Sequence, residues 1–312
     1  MQLTPWAFIK SQWTTLPPAA KVDLTGKTVI ITGANVGLGF EAAKHFARMN
    51  PEKLILACRN KAKGEAALNR RRAIDILVEN AGVSPSENLE FTADGWESSV
   101  QTNDLSTSLL GLLLLPRLLE TAEKYNTTPR LVVLASELHY WAKLDKSVLD
   151  SPNPLREYAL KDRLTSAKGG NNRYAVTKLL NILFIRALND RLHRKPVIVN
   201  AVNPGYCYSS FRRNFKGIRR LFDKLMELAV ARTTEEGSRI PVWAAVGAEE
   251  KKDELRGAYI SSMKVEEPSD FVISKEGKAY QDKIWNVLID ELAKVDSKVA
   301  QVVEEYLTTA KN

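Results

Sequence analysis

The 312-residue sequence has only two cysteines and three histidines. Two cysteines are too few for a fold that depends on several disulfides or for a cysteine-rich zinc module. Three histidines provide few ligands for a histidine-based metal site. We therefore interpret Cys58 and Cys207 as structural thiols, which suits a reducing compartment. No metal ligands are predicted.

Long hydrophobic runs are also missing. The most apolar stretch, 109–115, ends at Pro116 and is far shorter than the ~20 residues of a membrane-spanning helix, so we interpret it as part of a buried helix. Residues 1–20 contain no unbroken apolar segment of the kind that a secretory signal has. These two absences predict a cytoplasmic protein.

Basic residues outnumber acidic ones by 45 to 37, which gives a net charge of +8. Such an excess is typical of nucleic-acid or anionic-membrane binding, but it also fits a solvated basic face with a few cations for an anionic cofactor. The basic clusters at 70–72 and 212–220 lack the interleaved aromatic residues of a single-strand binder. We favour the solvated face and predict no nucleic-acid partner.

The sequence does contain a regular alternation of short apolar runs and helical patterns. Strand-like runs lie at 28–31, 54–57, 74–78, 131–134 and 197–202, with helical patterns at 40–47, 60–72, 100–123 and after residue 172. This alternation predicts an α/β fold with a doubly wound parallel sheet and helices on both faces. Since no repeat or linker interrupts it, we predict one domain at 21–312 after an N-terminal extension at 1–20.

A glycine-rich turn follows the first predicted strand. Gly33, Gly37 and Gly39 lie between a strand and a helix, where small residues let a pyrophosphate approach the backbone and the N–H groups of the helix start. A tight turn with positive φ is the alternative reason for these glycines. We predict a dinucleotide site at this turn.

Arg59 follows the second predicted strand, at a place that faces the adenosine ribose in a dinucleotide fold. An acidic residue there favours NAD, because it accepts from the 2′-hydroxyl, whereas an arginine favours the 2′-phosphate of NADP. A solvent-exposed cation is the alternative. Arg59 therefore predicts NADP(H) as the cofactor.

Four polar residues form a candidate catalytic group. Tyr174 and Lys178 are four apart and share one face of a predicted helix, where an ammonium stabilises a phenolate and lowers the tyrosine pKa. Ser136 follows a strand and could hold a substrate carbonyl, and Asn103, near the start of the long helix, could bridge water to Lys178. Taken singly, these residues also fit a surface pair and ordinary caps.

These motifs, in this order with 80–82 (Asn-Ala-Gly) and 204–205 (Pro-Gly), resemble the classical short-chain dehydrogenase/reductase superfamily. The stretches 57–60 and 173–179 are similar to its retinol-dehydrogenase-like and WW-domain-oxidoreductase-like branch, fungal members included. The resemblance covers about residues 21–265. It implies a carbonyl–alcohol oxidoreductase on a Rossmann-type sheet of up to seven strands, with NADP(H) at its C-terminal edge, and the fungal likeness suggests secondary metabolism.

The resemblance also implies a role for each matching position. The catalytic set comprises Tyr174 as proton donor or acceptor, Lys178 as the group that lowers its pKa and binds the nicotinamide ribose, Ser136 on the carbonyl and Asn103 in a proton relay. The cofactor set adds Gly33, Asn35, Gly37, Leu38, Gly39 and Arg59, then Asn80, Ala81 and Gly82 on the adenosine side, and Pro204, Gly205 and Ser209 at the nicotinamide end. A homodimer through the helices at 100–123 and 172–190 is the family's habit.

The interval between Arg59 and Ile74 departs from the family pattern. Only 14 residues lie there, where the family has a helix, a third strand and a second helix. A single helix can make the crossover at ~1.5 Å per residue, so we expect the sheet to lose its third, edge strand and not its middle. An exposed edge at the second strand and weaker cofactor binding should follow. A splice form or an erroneous gene model would leave the same gap, and a catalytically weak or inactive cofactor-sensing protein is the alternative function.

Three aromatic segments remain to be placed. By resemblance, 206–245 is the substrate lid, and its aromatic content favours an apolar carbonyl or alcohol, although packing of an amphipathic helix explains it equally. The long loop at 140–170 either covers the substrate entrance or is a surface excursion. For Trp6, Phe8 and Trp13 we favour packing against the domain edge over membrane contact.

Overall fold

A single mixed sheet organises the chain. The computed structural model describes residues 2–57, 73–84, 90–159, 172–212, 215 and 217–308. The seven strands are β1 (Thr28–Thr32), β2 (Lys53–Ala57), β3 (Ile76–Glu79), β4 (Arg130–Leu134), β5 (Ile198–Asn203), β6 (Tyr259–Ser261) and β7 (Lys264–Glu266). Their order in the sheet is β2-β1-β3-β4-β5-β6-β7, and all neighbouring pairs are parallel except β6 and β7.

Helices cover both faces of this sheet. The longer ones are α1 (Pro5–Trp13), α2 (Gly37–Ala47), α3 (Ser106–Tyr125), α4 (Arg173–Leu192), α5 (Gly217–Val230), α6 (Thr234–Val246), α7 (Lys275–Val295) and α8 (Lys298–Tyr306). Shorter helical segments lie at Ser98–Val100, Gln101–Leu105 (a π-turn), Glu137–Trp141, Lys146–Leu149, Pro154–Ala159, Ser210–Arg212, Glu249–Leu255 and Asp270–Ile273.

Two hydrophobic cores sandwich the sheet. Because side chains alternate along a strand, Ile76 and Val78 of β3 face one core while Leu77 faces the other. The first core contains α2 and α6, and the second contains α3, α4, α7 and α8. The doubly wound α/β architecture predicted from the alternation of elements is therefore confirmed.

Strand β2 forms one edge of the described sheet. Its register runs from Thr28 opposite Lys53 to Thr32 opposite Ala57, and the next strand of the chain, β3, pairs on the other side of β1. Leu56 is 42% exposed, as befits an edge position. The described residues thus contain the exposed second-strand edge that the short 59–74 interval predicts. The predicted helix at 60–72 and Arg59 lie outside the described residues.

The apolar stretch 109–115 belongs to a continuous helical segment from Ser98 to Tyr125. By length and composition alone this segment could cross a membrane, but 56% of its apolar window is buried inside the protein. Leu112, Leu115 and Leu118 are fully buried in the second core. The interpretation of this stretch as a buried core helix is confirmed.

Helices α3 and α4 are covered by the C-terminal part of the same chain. Helix α8 packs against α3, and α7 packs against α4, where the rings of Phe184 and Trp285 stack with centroids 6.1 Å apart. Along α4 Asp190 is exposed, Tyr174, Arg186 and Asn189 are half-buried, and the other residues are buried. The chain's own α7 and α8 therefore pack on the two helices through which a homodimer is predicted, and the homodimer stays a prediction.

Candidate active site

The glycine-rich turn joins β1 to α2 and is held by Asn80. The Asn80 amide donates to the carbonyl oxygens of Thr32, at 2.9 Å, and Gly33, at 3.1 Å. A Cβ atom on Gly39 would collide with Asn80 Nδ2 and would lie 2.6 Å from the Gly33 oxygen, so this position requires glycine. At Gly37 the reason is different, because φ is +62° while the space that a Cβ atom would occupy is open.

The start of α2 is suited to an anion. Its N-cap residue, Val36, supplies no side-chain hydrogen bond, so the first N–H groups of the helix are not capped by a neighbouring side chain. Asn35 is exposed beside them, and Leu38 is half-buried. Free helix N–H groups next to closely packed glycines are the geometry that binds a pyrophosphate.

Three of the predicted catalytic residues meet at the C-terminal end of β4. Ser136 follows this strand, and its hydroxyl lies near enough to the Tyr174 phenol to lower the pKa of that group. Lys178 Nζ lies 5.7 Å from the centroid of the Tyr174 ring. It is buried and donates to the carbonyl oxygen of Leu134, the last residue of β4, at 2.6 Å. The sheet edge and α4 thus bring together side chains that are 38 and 42 residues apart in sequence.

Burial sets the protonation of this group. It raises the pKa of Tyr174 above the ordinary phenol value, although Arg212 and the Ser136 hydroxyl oppose the shift. Burial also lowers the pKa of Lys178 to about 8, against the attraction of Asp104. The sequence led us to expect that Lys178 lowers the tyrosine pKa. In this structure burial of the phenol raises its pKa, so Tyr174 is protonated at neutral pH, and the effect of Lys178 on it stays a prediction.

Asn103 hydrogen-bonds with three residues of the site, Val83, Thr177 and Asn181. Its amide pairs with the backbone of Val83, accepting at 2.8 Å and donating at 2.9 Å, and thereby fixes the loop after β3. Its carbonyl oxygen accepts from Asn181 Nδ2 at 2.7 Å. Asn181 Oδ1 in turn accepts from Lys178 Nζ at 3.2 Å. Asn181 therefore links Asn103 to Lys178, a role that was missed from sequence although Asn181 lies one turn beyond Lys178 on the same helix.

Asp104 is a second buried group beside Lys178 that no sequence motif singled out. It is 1% exposed, and burial raises its pKa to about 7, while Lys178 opposes that shift. One of its carboxylate oxygens, Oδ2, has no hydrogen-bond partner within the described residues. The Asp104 carboxylate therefore acts on Lys178 through charge.

Replacing Asp104 by asparagine should shift the pH dependence of turnover. The carboxylate raises the pKa of Lys178, so its removal lowers that pKa and Lys178 loses its proton at lower pH. We expect the alkaline limb of the kcat/KM profile to move down by about one pH unit. Asp150→Asn, at an exposed site, should leave the limb in place. An unchanged limb in Asp104→Asn would show that Lys178 protonation does not govern the rate.

The turn after β5 is tied to the N-terminal helix. Gly205 has φ +80°, and its N–H donates to Asn203 Oδ1 at 3.1 Å. Gln12 of α1 accepts from the Tyr206 N–H at 3.0 Å and donates to Glu137 at 3.3 Å. Gln12 is buried, so α1 inserts a polar side chain next to both predicted site segments. No sequence pattern indicated this contact.

Glu137, directly after Ser136, is a further buried acid. Burial raises its pKa to about 7, whereas the Arg232 charge and a hydrogen bond from Asn203 lower it. Arg232 is itself buried and donates to the Ser11 carbonyl oxygen at 2.6 Å. The floor of the site beside Ser136 is therefore a buried polar network that joins α1 to β5 and to the segment before α6.

Arg212 holds the segment that follows this turn. Its guanidinium contacts Asp223 at 2.7 Å and Glu227 at 3.0 Å, both on α5, and lies 4.1 Å from the Tyr206 ring centroid. Next to it, the Phe211 ring packs against Tyr174 with centroids 5.2 Å apart. Arg212 therefore fixes the chain that brings an aromatic ring to the candidate proton donor.

The remaining residues of the predicted lid (206–245) and of the predicted entrance loop (140–170) lie in different parts of the fold. Ser209 accepts from the Phe211 N–H at 3.3 Å, so its hydroxyl caps the short helix at 210–212. Within 206–245, α6 packs against α2 and the sheet. In the described part of the 140–170 loop, Leu155 is fully buried in the second core and the Tyr158 hydroxyl lies 3.2 Å from that of Tyr280.

His139 does not act on Ser136. Its Nδ1 lies 2.7 Å from the Ser136 backbone oxygen and its Nε2 accepts from the Ser269 N–H at 3.1 Å. Burial lowers its pKa to about 4, so the ring is neutral. Both ring nitrogens are hydrogen-bonded to backbone groups, so His139 connects two segments of the chain and does not act as the base of a hydrolase. Among the described residues no group of three His, Cys, Asp or Glu side chains could hold a metal ion.

Comparison with known proteins gives close relatives. No family model matches the sequence. The chain is 32% identical to the short chain dehydrogenase/reductase dmxR8 of Cryptosporiopsis sp., over 91% of this chain and 96% of that protein. It is also 32% identical to the short-chain dehydrogenase anuD of Penicillium roqueforti, over 92% of this chain and 82% of that protein.

Solved structures share the fold. A 3-ketoacyl-(acyl-carrier-protein) reductase from Brucella melitensis complexed with NADH has a TM-score of 0.54 at 19% identity, covering 77% of this chain and 97% of that one. The angucycline C-6 ketoreductase LanV with bound NADP has a TM-score of 0.53 at 16% identity, covering 78% of this chain and 96% of that one.

Proposed function

Because the chain belongs to the short-chain dehydrogenase/reductase family, we propose that it is an NADP(H)-dependent oxidoreductase that interconverts a carbonyl and an alcohol on an apolar small molecule. The observation that carries the proposal is the meeting of Ser136, Tyr174 and Lys178 at the C-terminal end of β4, on the same sheet edge as the glycine-rich turn. The fungal relatives support a place in secondary metabolism, and we retain a cytoplasmic location as part of the proposal.

The described residues fit a nicotinamide dinucleotide. The uncapped start of α2 and the required glycine at position 39 would hold the pyrophosphate, with Asn35 and Leu38 in the same turn. Residues 80–82 would line the adenosine side, and Pro204, Gly205 and Ser209 would contact the nicotinamide end. NADH is bound by the reductase from Brucella melitensis and NADP by LanV, so the fold alone does not choose between them.

In the reductive direction the chain's own residues handle the proton. Ser136 donates to the substrate carbonyl oxygen, and Tyr174, a protonated phenol in this site, transfers its proton to that oxygen. Lys178 stabilises the resulting phenolate through its charge, while the Leu134 carbonyl and Asn181 hold its ammonium group in place. The bound nicotinamide supplies the hydride.

Asn181 and Asn103 position Lys178 at the end of this proton path. The Asn181 amide connects Lys178 Nζ to the Asn103 backbone carbonyl, so both ends of the link are fixed by hydrogen bonds. In the relay role that the family implies for Asn103, a water would carry the proton to Lys178, because the Asn181 amide holds these groups in place without exchanging protons.

An apolar substrate fits the surroundings of Tyr174. The Phe211 ring packs against the phenol, and Tyr206 lies under Arg212 in the same segment. Aromatic walls with a few convergent polar groups are typical of sites for apolar ligands. A homodimer would have to use a surface other than the α4 face, which α7 covers.

Replacing Arg59 by aspartate should reverse the cofactor preference. Arg59 lies outside the described residues, and its role here rests on the family position. Loss of a charge-assisted hydrogen bond to the 2′-phosphate should raise the Kd for NADPH roughly 10- to 100-fold, with a much smaller change for NADH. Titration by nucleotide fluorescence measures both. Arg48→Asp removes the same charge elsewhere and should change neither; equal losses for both nucleotides in Arg59→Asp would contradict the assignment.

Cofactor binding and turnover separate the two candidate functions. The protein is titrated with NADPH and NADH, and NADPH consumption is then followed with a panel of apolar ketones and aldehydes. Preferred NADPH binding with substrate-dependent consumption supports the oxidoreductase. Binding without turnover on any carbonyl would favour a cofactor-sensing protein, the alternative that the exposed β2 edge supports.

A further inference from the structure

Helix α5 has its acidic side chains towards the protein and its large apolar side chains towards solvent. Asp223 and Glu227 point inwards to Arg212, and their side chains are only 12% and 5% exposed. Five large apolar residues share the opposite side: Ile218, Leu221, Phe222, Leu225 and Leu228, each 58–87% exposed. Their helical spacing makes one continuous stripe. A helix at the surface of a globular domain normally has the reverse orientation.

Helix α1 continues this apolar surface. Trp6, Lys10 and Trp13 are spaced four and three residues apart and form its outer side, with the two tryptophans 66% and 61% exposed. Trp13 Nε1 donates to the Ala229 carbonyl oxygen of α5 at 3.1 Å, so the two helices meet. We call the combined surface the docking face; it comprises Trp6, Trp13, Ile218, Leu221, Phe222, Leu225 and Leu228.

The charges around the docking face have one sign. Helix α1 contains no acidic residue, and the only two acids of α5 are those turned inwards to Arg212. Lys10 and Arg220 are exposed on these same helices, and Lys224, which is also exposed, pairs with Glu227 at 2.6 Å. A second copy of the chain would place these cations against each other. An anionic lipid surface would instead pair with them, and tryptophan is the side chain that prefers the boundary between lipid and water.

We propose that the docking face binds the surface of an anionic lipid bilayer, with α1 and α5 lying in the plane of the interface. From the sequence we favoured packing of the N-terminal aromatic residues against the domain edge. Phe8 does pack in this way: its ring centroid lies 5.9 Å from that of Trp141 and 6.4 Å from that of Tyr206. Trp6 and Trp13 belong to the docking face instead. This binding is independent of the redox reaction, because it uses the outer sides of both helices.

Vesicle sedimentation tests the proposal. The full chain should sediment with phosphatidylcholine vesicles that contain phosphatidylserine, less with pure phosphatidylcholine, and less at high salt. The triple variant Leu221→Gln, Phe222→Gln, Leu225→Gln should lower partitioning roughly 100-fold. Its matched control, Val265→Gln, Ile273→Gln, Val295→Gln, removes three apolar residues that are 43%, 47% and 70% exposed elsewhere and should bind like the parent chain.

The charge contribution is tested separately. Lys10→Glu combined with Arg220→Glu should remove the preference for phosphatidylserine, since each cation near such a surface contributes about 1 kcal/mol, or roughly fivefold in partitioning. Thermal melting checks that every variant is folded. Two results would overturn the proposal: no sedimentation of the parent chain with either vesicle, or a dimer in light scattering that the apolar triple variant dissociates, which would make the docking face a self-interface.

Discussion

Replacing Tyr174 by phenylalanine is expected to reduce kcat by about 10²- to 10⁴-fold while leaving the affinity for NADPH nearly unchanged. The phenol lies beside Ser136, with Lys178 Nζ 5.7 Å from its ring centroid, so the substitution removes the proposed proton donor to the substrate oxygen. The ring itself remains and keeps its packing against Phe211. Steady-state kinetics with a carbonyl substrate and nucleotide titration measure the two quantities.

Tyr158→Phe provides the matched control for this experiment. It removes a hydroxyl of the same kind, which lies 3.2 Å from that of Tyr280 and away from the β4 end. We expect at most a small loss of stability and no change in rate. A Tyr174→Phe protein that retained the full rate would refute the proton-transfer role, and one that also lost NADPH binding would show that the hydroxyl holds the cofactor site together.

Replacing Gly39 by alanine is expected to raise the Kd for NADPH roughly 100-fold. The added methyl group would collide with the Asn80 amide and the Gly33 carbonyl, which are both parts of the turn that would hold the pyrophosphate. These atoms have to move apart, so the free energy of unfolding should also fall, by about 1–3 kcal/mol. Isothermal titration and thermal melting report the two effects.

Gly26→Ala separates the loss of binding from the loss of stability. Gly26 has φ +76° with open space around it, and it lies before β1, outside the turn. An alanine there should cost about 1–2 kcal/mol through backbone strain and leave NADPH affinity unchanged. Equal NADPH affinity in Gly39→Ala and the parent chain would mean that the nucleotide does not use this turn.

The parts of the site that could be predicted from sequence are those that depend on strand ends. In a parallel sheet the C-terminal ends of the strands share one edge, so the residues after β1, β3 and β4 had to lie near one another. Gly39, Asn80 and Ser136 each follow such a strand, and the structure places them on that edge. Their local patterns carried enough information because the pairing of strands is regular.

The parts that could not be predicted depend on contacts between distant segments. Gln12 bonds to Tyr206 across 194 positions, and no local pattern marks a glutamine in an amphipathic helix as a buried partner. Arg212 belongs to a basic cluster that favoured a solvated face, yet two acids of α5 bury it. The β6–β7 hairpin turns at Ser262 and Met263 with φ +50° and +60°, where glycine or asparagine would have signalled it.

Gln12 lies between Glu137 and Tyr206 and hydrogen-bonds to both, which limits how far the N-terminus of this protein can be truncated. A chain shortened to residues 21–312 would keep every strand of the sheet and every residue of the catalytic set. It would nevertheless leave the Glu137 carboxyl and the Tyr206 N–H without this amide partner, next to Ser136 and the turn after β5. The smallest unit that keeps this site intact therefore includes α1 as well as residues 21–312, and any transfer of the site to a shorter scaffold has to carry α1 with it.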